Sequence, residues 1–260
     1  MDPSQTKIYN KHGFNSKVFL ETYFSEKSTS GFREELLKFP MEKCHQACVS
    51  GDIKGDLLID ISIGPVVHHL YPMCGLFKDI LLFRFMERCI IELRKWRNAH
   101  DEAFDWTHIS PTMTELLGDS KQWELKDALL KSKIKQVVKC HTEKENLTDP
   151  LQLPQADCMT TAWILDTIST DKDTYMSNLR KIVKFVKPGG HLLLVGALEG
   201  TYYMVGNQRM HLFKYNENFV KNALAKEGFT VTQCEVLPSK VGTDLTDYKG
   251  KVFVAARKDK

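Results

Sequence analysis

From Gly55 to its end the chain alternates short apolar runs with stretches of helical period, and this alternation limits the fold more than any other feature. Buried parallel strands read as nearly continuous apolar runs, and the helices that cross between them carry one apolar face. The runs are "DLLIDIS" (56–62), "DILLFRF" (79–85), "QVVKC" (136–140), "ADCMTTAWIL" (156–165) and "HLLLVGAL" (191–198). "TVTQCEVL" and "KVFVAARK" read as a closing pair of strands. Between them, "ERCIIELRKWRN" places Cys89, Leu93 and Trp96 on one helical face, and residues 115–136 read as one inserted helix. In "DTYMSNLRKIVKFVKPGG" the stripe Tyr175, Leu179, Ile182, Val183 and Val186 predicts a helix that Pro188-Gly189-Gly190 stops. Asn216 or Asn218 is available to cap a further helix. The pattern predicts an α/β fold built on a mostly parallel sheet.

Residues 1–50 lack this alternation, and "FREELLKFPMEKCHQACVS" reads as helix interrupted at Pro40. The expected organisation is an N-terminal helical cap, 1–50, on a main domain, 51–260. Lys plus Arg is 36 against 33 for Asp plus Glu, a balance that argues against a nucleic-acid partner. The seven cysteines (44, 48, 74, 89, 140, 158 and 234) form no CxxC pair or tight cluster, so neither a disulfide framework nor a metal site is expected. No secretory leader and no run of about 18 apolar residues is present, so the expectation is a soluble, cytoplasmic protein without membrane association.

The stretches "KGDLLIDISIGP", "IIELRKW", "EAFDW", "LPQADCMTTAWILD", "VKPGGHLLL" and "YYMVG", with "FLETYF" nearer the N-terminus, carry a resemblance. The chain resembles a class I S-adenosylmethionine-dependent methyltransferase, and within that class the nicotinamide, indolethylamine and phenylethanolamine N-methyltransferases. The resemblance implies a Rossmann-like fold with a seven-stranded, mostly parallel sheet and an N-terminal helical cap. It also implies S-adenosylmethionine as cofactor, a small-molecule acceptor and a monomer. Methyl transfer from a sulfonium needs approach and desolvation more than an enzymic nucleophile.

The implied cofactor residues depart from the family pattern at many positions. The first turn reads Asp60, Ile61, Ser62, Ile63, Gly64, Pro65, where the family has acid, Ile, Gly, Ser, Gly, Pro. Ser62 still fits, but Ile63 has to point away from a cofactor. The bland alternative is a plain strand-to-helix turn with Pro65 at the first helical position. At the end of the second strand the ribose-binding acid is replaced by Arg84, which has donors and no acceptor. Arg84 is then a partner for the 2′-phosphate of an NADP-type ligand, or a solvent-facing side chain at a strand end. Phe19 and Phe24 stand where the cap has tyrosines, His68 where it has a third, and Cys89 where it has an amide. His141 and Thr142 follow the third strand in place of the acid that reads adenine; the alternative for His141 is a loop residue without a partner.

On the acceptor side, Asp166, Tyr202 and Tyr203 match the family, with Asp166 and Tyr203 as the catalytic candidates. Tyr203 walls the pocket or belongs to the core. Gly196 replaces the acid that orients an amine or amide acceptor. Two readings follow: methyl transfer from S-adenosylmethionine to an amine, heteroaromatic or thioether acceptor through a remodelled pocket, or a catalytically inactive relative that binds, carries or supports.

Overall fold

The computed structural model describes residues 6–118 and 123–259. Seven strands form one sheet: β1 (Gly55–Ile61), β2 (Phe77–Arg84), β3 (Ile134–Lys139), β4 (Ala156–Ala162), β5 (Val186–Leu198), β8 (Phe229–Pro238) and β9 (Gly250–Lys258). Their order is β3-β2-β1-β4-β5-β9-β8, with the first five parallel and β9 antiparallel to both neighbours. The order reverses between β1 and the neighbouring β4, so their carboxyl ends open at a topological switch point, where sheets of this kind place ligands. A separate hairpin, β6 (Tyr202–Val205) with β7 (Gln208–His211), rises beside that edge and has no counterpart in the strand runs read from sequence.

Helices α4 (Glu87–Arg97), α8 (Lys172–Val183) and α9 (Glu217–Lys226) bury the faces their spacing predicts, including Cys89, Leu93 and Trp96. Asp171 starts α8 with a reciprocal capping box to Thr174, and Asn216, not Asn218, caps α9 by accepting from the Phe219 N–H. Val186 leaves the α8 stripe: the helix ends at Val183, and Val186 pairs as the first residue of β5, before Pro188 is reached. "ADCMTTAWIL" also splits, because Trp163 takes a left-handed conformation (φ +55°) that ends β4 and starts α7 (Ile164–Ile168). The inserted helix is two helices, α5 (Ser110–Leu117) and α6 (Trp123–Lys133). Gly118, at φ +77°, closes α5 with its N–H on the Thr114 carbonyl; residues 119–122 of that stretch lie outside the described residues.

At the N-terminus α1 (Ser16–Tyr23) is followed by α2 (Ser30–Phe32), a π-helical segment (Arg33–Lys38) and α3 (Phe39–Val49). The helix is not interrupted at Pro40. The π segment shifts the ladder by one residue, with Phe39 N–H bonded to Glu34, and places Pro40 in the first turn of α3, where its missing N–H is harmless. These helices share one continuous core with the sheet, from Tyr9 through Phe32 and Met41 to Phe253. The seven cysteines are all free and six are buried. No described helix is long and apolar enough to cross a membrane.

Candidate functional site

The site is assembled at the carboxyl ends of β1, β2, β4 and β5, where their last residues meet the N-terminal helices. Its first element is the turn after β1. Gly64 adopts φ +60°, and its N–H donates to the Tyr9 hydroxyl at 3.0 Å. A Cβ on Gly64 would stand 2.8 Å from the Phe19 ring, so the cap lies directly on the backbone of the turn. No regular helix follows. Pro65 opens no helical turn, and the chain goes on through 3-10 turns at His68–Leu70 and Cys74–Leu76. Ile63 does not point away: it is buried and lines a cavity of about 50 Å³.

Asp60, at the end of β1, is wholly buried. Its Oδ1 accepts from Ser62 (2.7 Å), Thr160 (2.8 Å) and the Nε2 of His69 (2.7 Å). Its Oδ2 forms an ion pair with Arg84 Nη2 at 2.7 Å, an approach outside linear hydrogen-bond geometry. Arg84 is therefore neither solvent-facing nor available to a 2′-phosphate. It is fully buried and donates to the carbonyls of Asp60 (3.2 Å), Phe83 (2.8 Å) and Val66 (2.8 Å). Burial alone would raise the Asp60 pKa, but the charge of Arg84 and the contacts of His69 outweigh it and hold the carboxyl well below the usual carboxylate range. His69 and Thr160 are the side chains of this network that the sequence reading missed. A titratable residue next to another bulky one on a turn carried no spacing signal.

His68, expected to replace a tyrosine hydroxyl, makes no hydrogen bond from either ring nitrogen. It stacks near Trp106 and Trp163, against Phe24, and burial, aided by His69, drives its pKa well below the ordinary value and leaves it neutral. Cys89 lies 3.5 Å from the Tyr9 hydroxyl. His141 is partly exposed and pairs with Glu143 at 3.2 Å, so it is not without a partner, while Thr142 accepts from Asn10. The residues that would hold S-adenosylmethionine by the family pattern do not fit it in this arrangement. The position that the family pattern gives to ribose carries a cation that donates to three carbonyls and is ion-paired with Asp60, Asp60 is spent on protein partners, and Phe19 covers the turn.

The acceptor side is a chamber walled by Phe19, Tyr23, Phe24, Trp163, Tyr203 and Tyr248, with Ala197 and Lys251 of β5 and β9 at its base. Asp166 sits behind it, accepting from the Ala197 N–H and the Tyr215 hydroxyl, both at 2.7 Å. Burial pushes its pKa up to about 6, against the opposing pull of those two donors. Tyr203 is buried with its hydroxyl unpartnered. Tyr202 does not join the chamber: it packs under the Arg209 guanidinium, 3.6 Å from its ring, and donates to the Asp244 carbonyl. At Gly196 a Cβ would overlap the Tyr215 hydroxyl, so tyrosine fills the space that the family's acid would need.

Lys251 went unnoticed because a lysine at the start of an apolar strand normally reads as a solvated end. It is 3% exposed, and its ammonium stands 3.3 Å over the Tyr248 ring. Burial lowers its pKa to about 7, with Glu35 and Asp166 opposing the shift from a distance. A wider, open cleft of about 930 Å³ runs outside the cap between Lys17, Glu21 and the 101–111 loop, but it shares no lining residue with the chamber.

A Rossmann-like sheet capped by helices, with its strand order reversed at the site, defines the class I methyltransferase fold. The chain belongs to the NNMT/PNMT/TEMT family, whose model matches residues 4–259. It is 34% identical to indolethylamine N-methyltransferase of Oryctolagus cuniculus, covering 96% of this chain and 95% of that one. Nicotinamide N-methyltransferase of Homo sapiens is 31% identical over 94% and 93% of the two chains. Among solved structures, the N-methyltransferase NodS from Bradyrhizobium japonicum WM9 in complex with S-adenosyl-L-homocysteine superimposes with a TM-score of 0.54. At 13% identity, over 95% of this chain and all of that one, the match shows the shared fold.

Three outcomes follow from this geometry. Replacing Arg84 by Met strands the Asp60 carboxylate, and urea unfolding should register a loss of about 3–5 kcal/mol; the double variant R84M/D60N should recover much of it. Gly196→Ala should cost about 1–3 kcal/mol by the same measurement, and Tyr215→Phe in addition should return part of that. The third concerns pH. The unfolded chain holds the Lys251 proton up to its ordinary pKa and the folded chain releases it near 7, so this group makes stability rise with pH above neutrality. Between pH 7 and 8.5 the slope of wild type minus Lys251→Met should approach about 1.4 kcal/mol per pH unit. A difference of zero would place the amine in contact with solvent.

Proposed function

We propose that this chain is a methyltransferase-fold protein that no longer performs S-adenosylmethionine-dependent methyl transfer and instead binds a small ligand in its aromatic chamber. The observation that carries this reading is the buried pair Asp60–Arg84, which fills the end of the cleft that the family pattern gives to ribose with a guanidinium donating to three backbone carbonyls. A ligand hydroxyl arriving there meets a group that cannot accept a hydrogen bond, and displacing Arg84 would break an ion pair in a medium without water. The chamber volume of about 50 Å³ holds a few waters at most, so a larger ligand enters by displacing cap aromatics. The proposal includes a monomer in a reducing, cytoplasmic setting, in keeping with seven unpaired cysteines.

A second reading has its own support. The relatives at 34% and 31% identity are named N-methyltransferases, and of the two residues that the family resemblance marks on the acceptor side, Tyr203 lines the chamber and Asp166 bonds the Ala197 N–H behind it. On this reading the chain methylates a small amine, heteroaromatic or thioether acceptor through a remodelled cofactor pocket. It requires Phe19 and Arg84 to leave the turn when cofactor binds.

Isothermal titration with S-adenosylmethionine and S-adenosyl-L-homocysteine separates the two. The first reading expects no heat at millimolar ligand; micromolar binding overturns it, and methyl transfer to a panel of pyridines, arylalkylamines and sulfides then tests the second.

A further inference from the structure

The chamber floor carries a feature that neither reading uses. Lys251 projects from β9 beside Ala197, its backbone partner on β5, and both residues line the cavity. Among the described residues it makes no hydrogen bond and no ion pair, although it is 3% exposed. The two nearby acids are engaged elsewhere. Glu35, from the cap, accepts from the Ser239 hydroxyl and the Lys240 N–H, and Asp166, from α7, accepts from Ala197 and Tyr215. What faces the amine is the Tyr248 ring at 3.3 Å and, farther off, the Trp163 ring at 5.7 Å. The chamber lining holds three further donors without a hydrogen-bond partner among the described residues, the Tyr203 and Tyr248 hydroxyls and the Trp163 indole N–H.

A lysine in such surroundings is costly as an ammonium, because it has lost water and gained no counter-ion. The same surroundings make it a good nucleophile, since the uncharged amine keeps its lone pair and a desolvated wall protects what it forms. We propose that Lys251 is a carbonyl-binding residue, which condenses with a small aldehyde in the chamber to form an imine. The Nζ lone pair attacks the carbonyl carbon while the C=O electron pair moves to oxygen. A proton passes from nitrogen to that oxygen, with the Tyr203 hydroxyl available as donor and relay. The hydroxyl then leaves with the remaining nitrogen proton as water and the nitrogen lone pair closes the C=N bond, so amine plus aldehyde gives imine plus water. The aromatic walls suit an aldehyde with an apolar body, and the cavity of about 50 Å³ selects for a short chain unless the cap opens. Nothing in the donor set favours an amine ligand: every acid near the chamber is already bonded, and the group facing it is itself basic.

This inference deepens the ligand-binding reading and rests on it, yet the two fail separately. Tight binding in the cofactor titration would sink the reading of the cleft and leave Lys251 to be measured. The test for Lys251 uses the folded wild-type protein with propanal and cyanoborohydride near pH 7, followed by peptide mass mapping over time. Hydride reduces the imine carbon and traps it as a stable secondary amine. The proposal expects Lys251 to be alkylated at least about tenfold faster than surface lysines, and its advantage to shrink as pH rises and surface amines lose their protons. Benzaldehyde should label it more slowly than propanal relative to the same surface lysines. The urea-unfolded protein is the control, in which Lys251 should react like any other lysine. If it reacts no faster than surface lysines in the folded protein, while its peptide is labelled normally after unfolding, the proposal is wrong.

Discussion

The arrangement at the head of the sheet turns on one ion pair without access to water, Asp60 with Arg84. Both charges lie at the ends of adjacent parallel strands: Asp60 stands opposite Leu82, and Arg84, two residues further along β2, reaches back to its carboxylate. Neither would be tolerated there alone, since an isolated charge in such a place costs several kcal/mol or titrates away. Together they are also tied to Ser62, Thr160, His69 and three backbone carbonyls, so the pair is locked in place. Turning Asp60 or Arg84 toward a ligand would break these bonds and leave the other charge buried without its partner.

The consequences spread outward from that lock. With the turn after β1 held from below, Gly64 presents its backbone upward, and Tyr9 and Phe19 close on it from the cap. Phe24, His68, Trp106 and Trp163 continue the aromatic layer, with His68 neutral and serving as another ring. On the far side Tyr215 reaches into the space beside Gly196 and binds Asp166, which keeps that acid behind the chamber wall. Asp60, Arg84 and Asp166 thus bond within the protein, whereas the Lys251 amine, the Tyr203 hydroxyl and the His68 ring nitrogens keep no hydrogen-bond partner among the described residues.

Much of the architecture was legible because it rests on periodicity. Apolar runs of strand length separated by amphipathic helices specify a parallel sheet, and "HLLLVGAL" or "TVTQCEVL" read correctly as strands because burial on both faces or pairing at an edge leaves a local trace. Boundaries were less legible where a single backbone angle decided them. Trp163 ended β4 with a left-handed conformation, and a π turn carried the cap helix through Pro40. The small hairpin β6–β7 escaped notice because its four-residue strands are held by the Tyr23 hydroxyl, the Lys7 backbone and the Thr246 side chain, all distant in sequence.

For the site, sequence by itself determined which residues stand at the strand ends, and the family resemblance marked Arg84, Phe19, Phe24 and Gly196 as departures from the groups expected there. It could state that Arg84 has no acceptor, because that is a property of the side chain. Whether the arginine met solvent, a phosphate or a carboxylate was decided by the tertiary structure, since that depends on the register of β1 against β2 and on what covers them. The same division holds for Lys251. Its charge and strand position are local facts, but its lowered pKa comes from burial, for which aromatic side chains of three distant segments join nearby Tyr248 in excluding water.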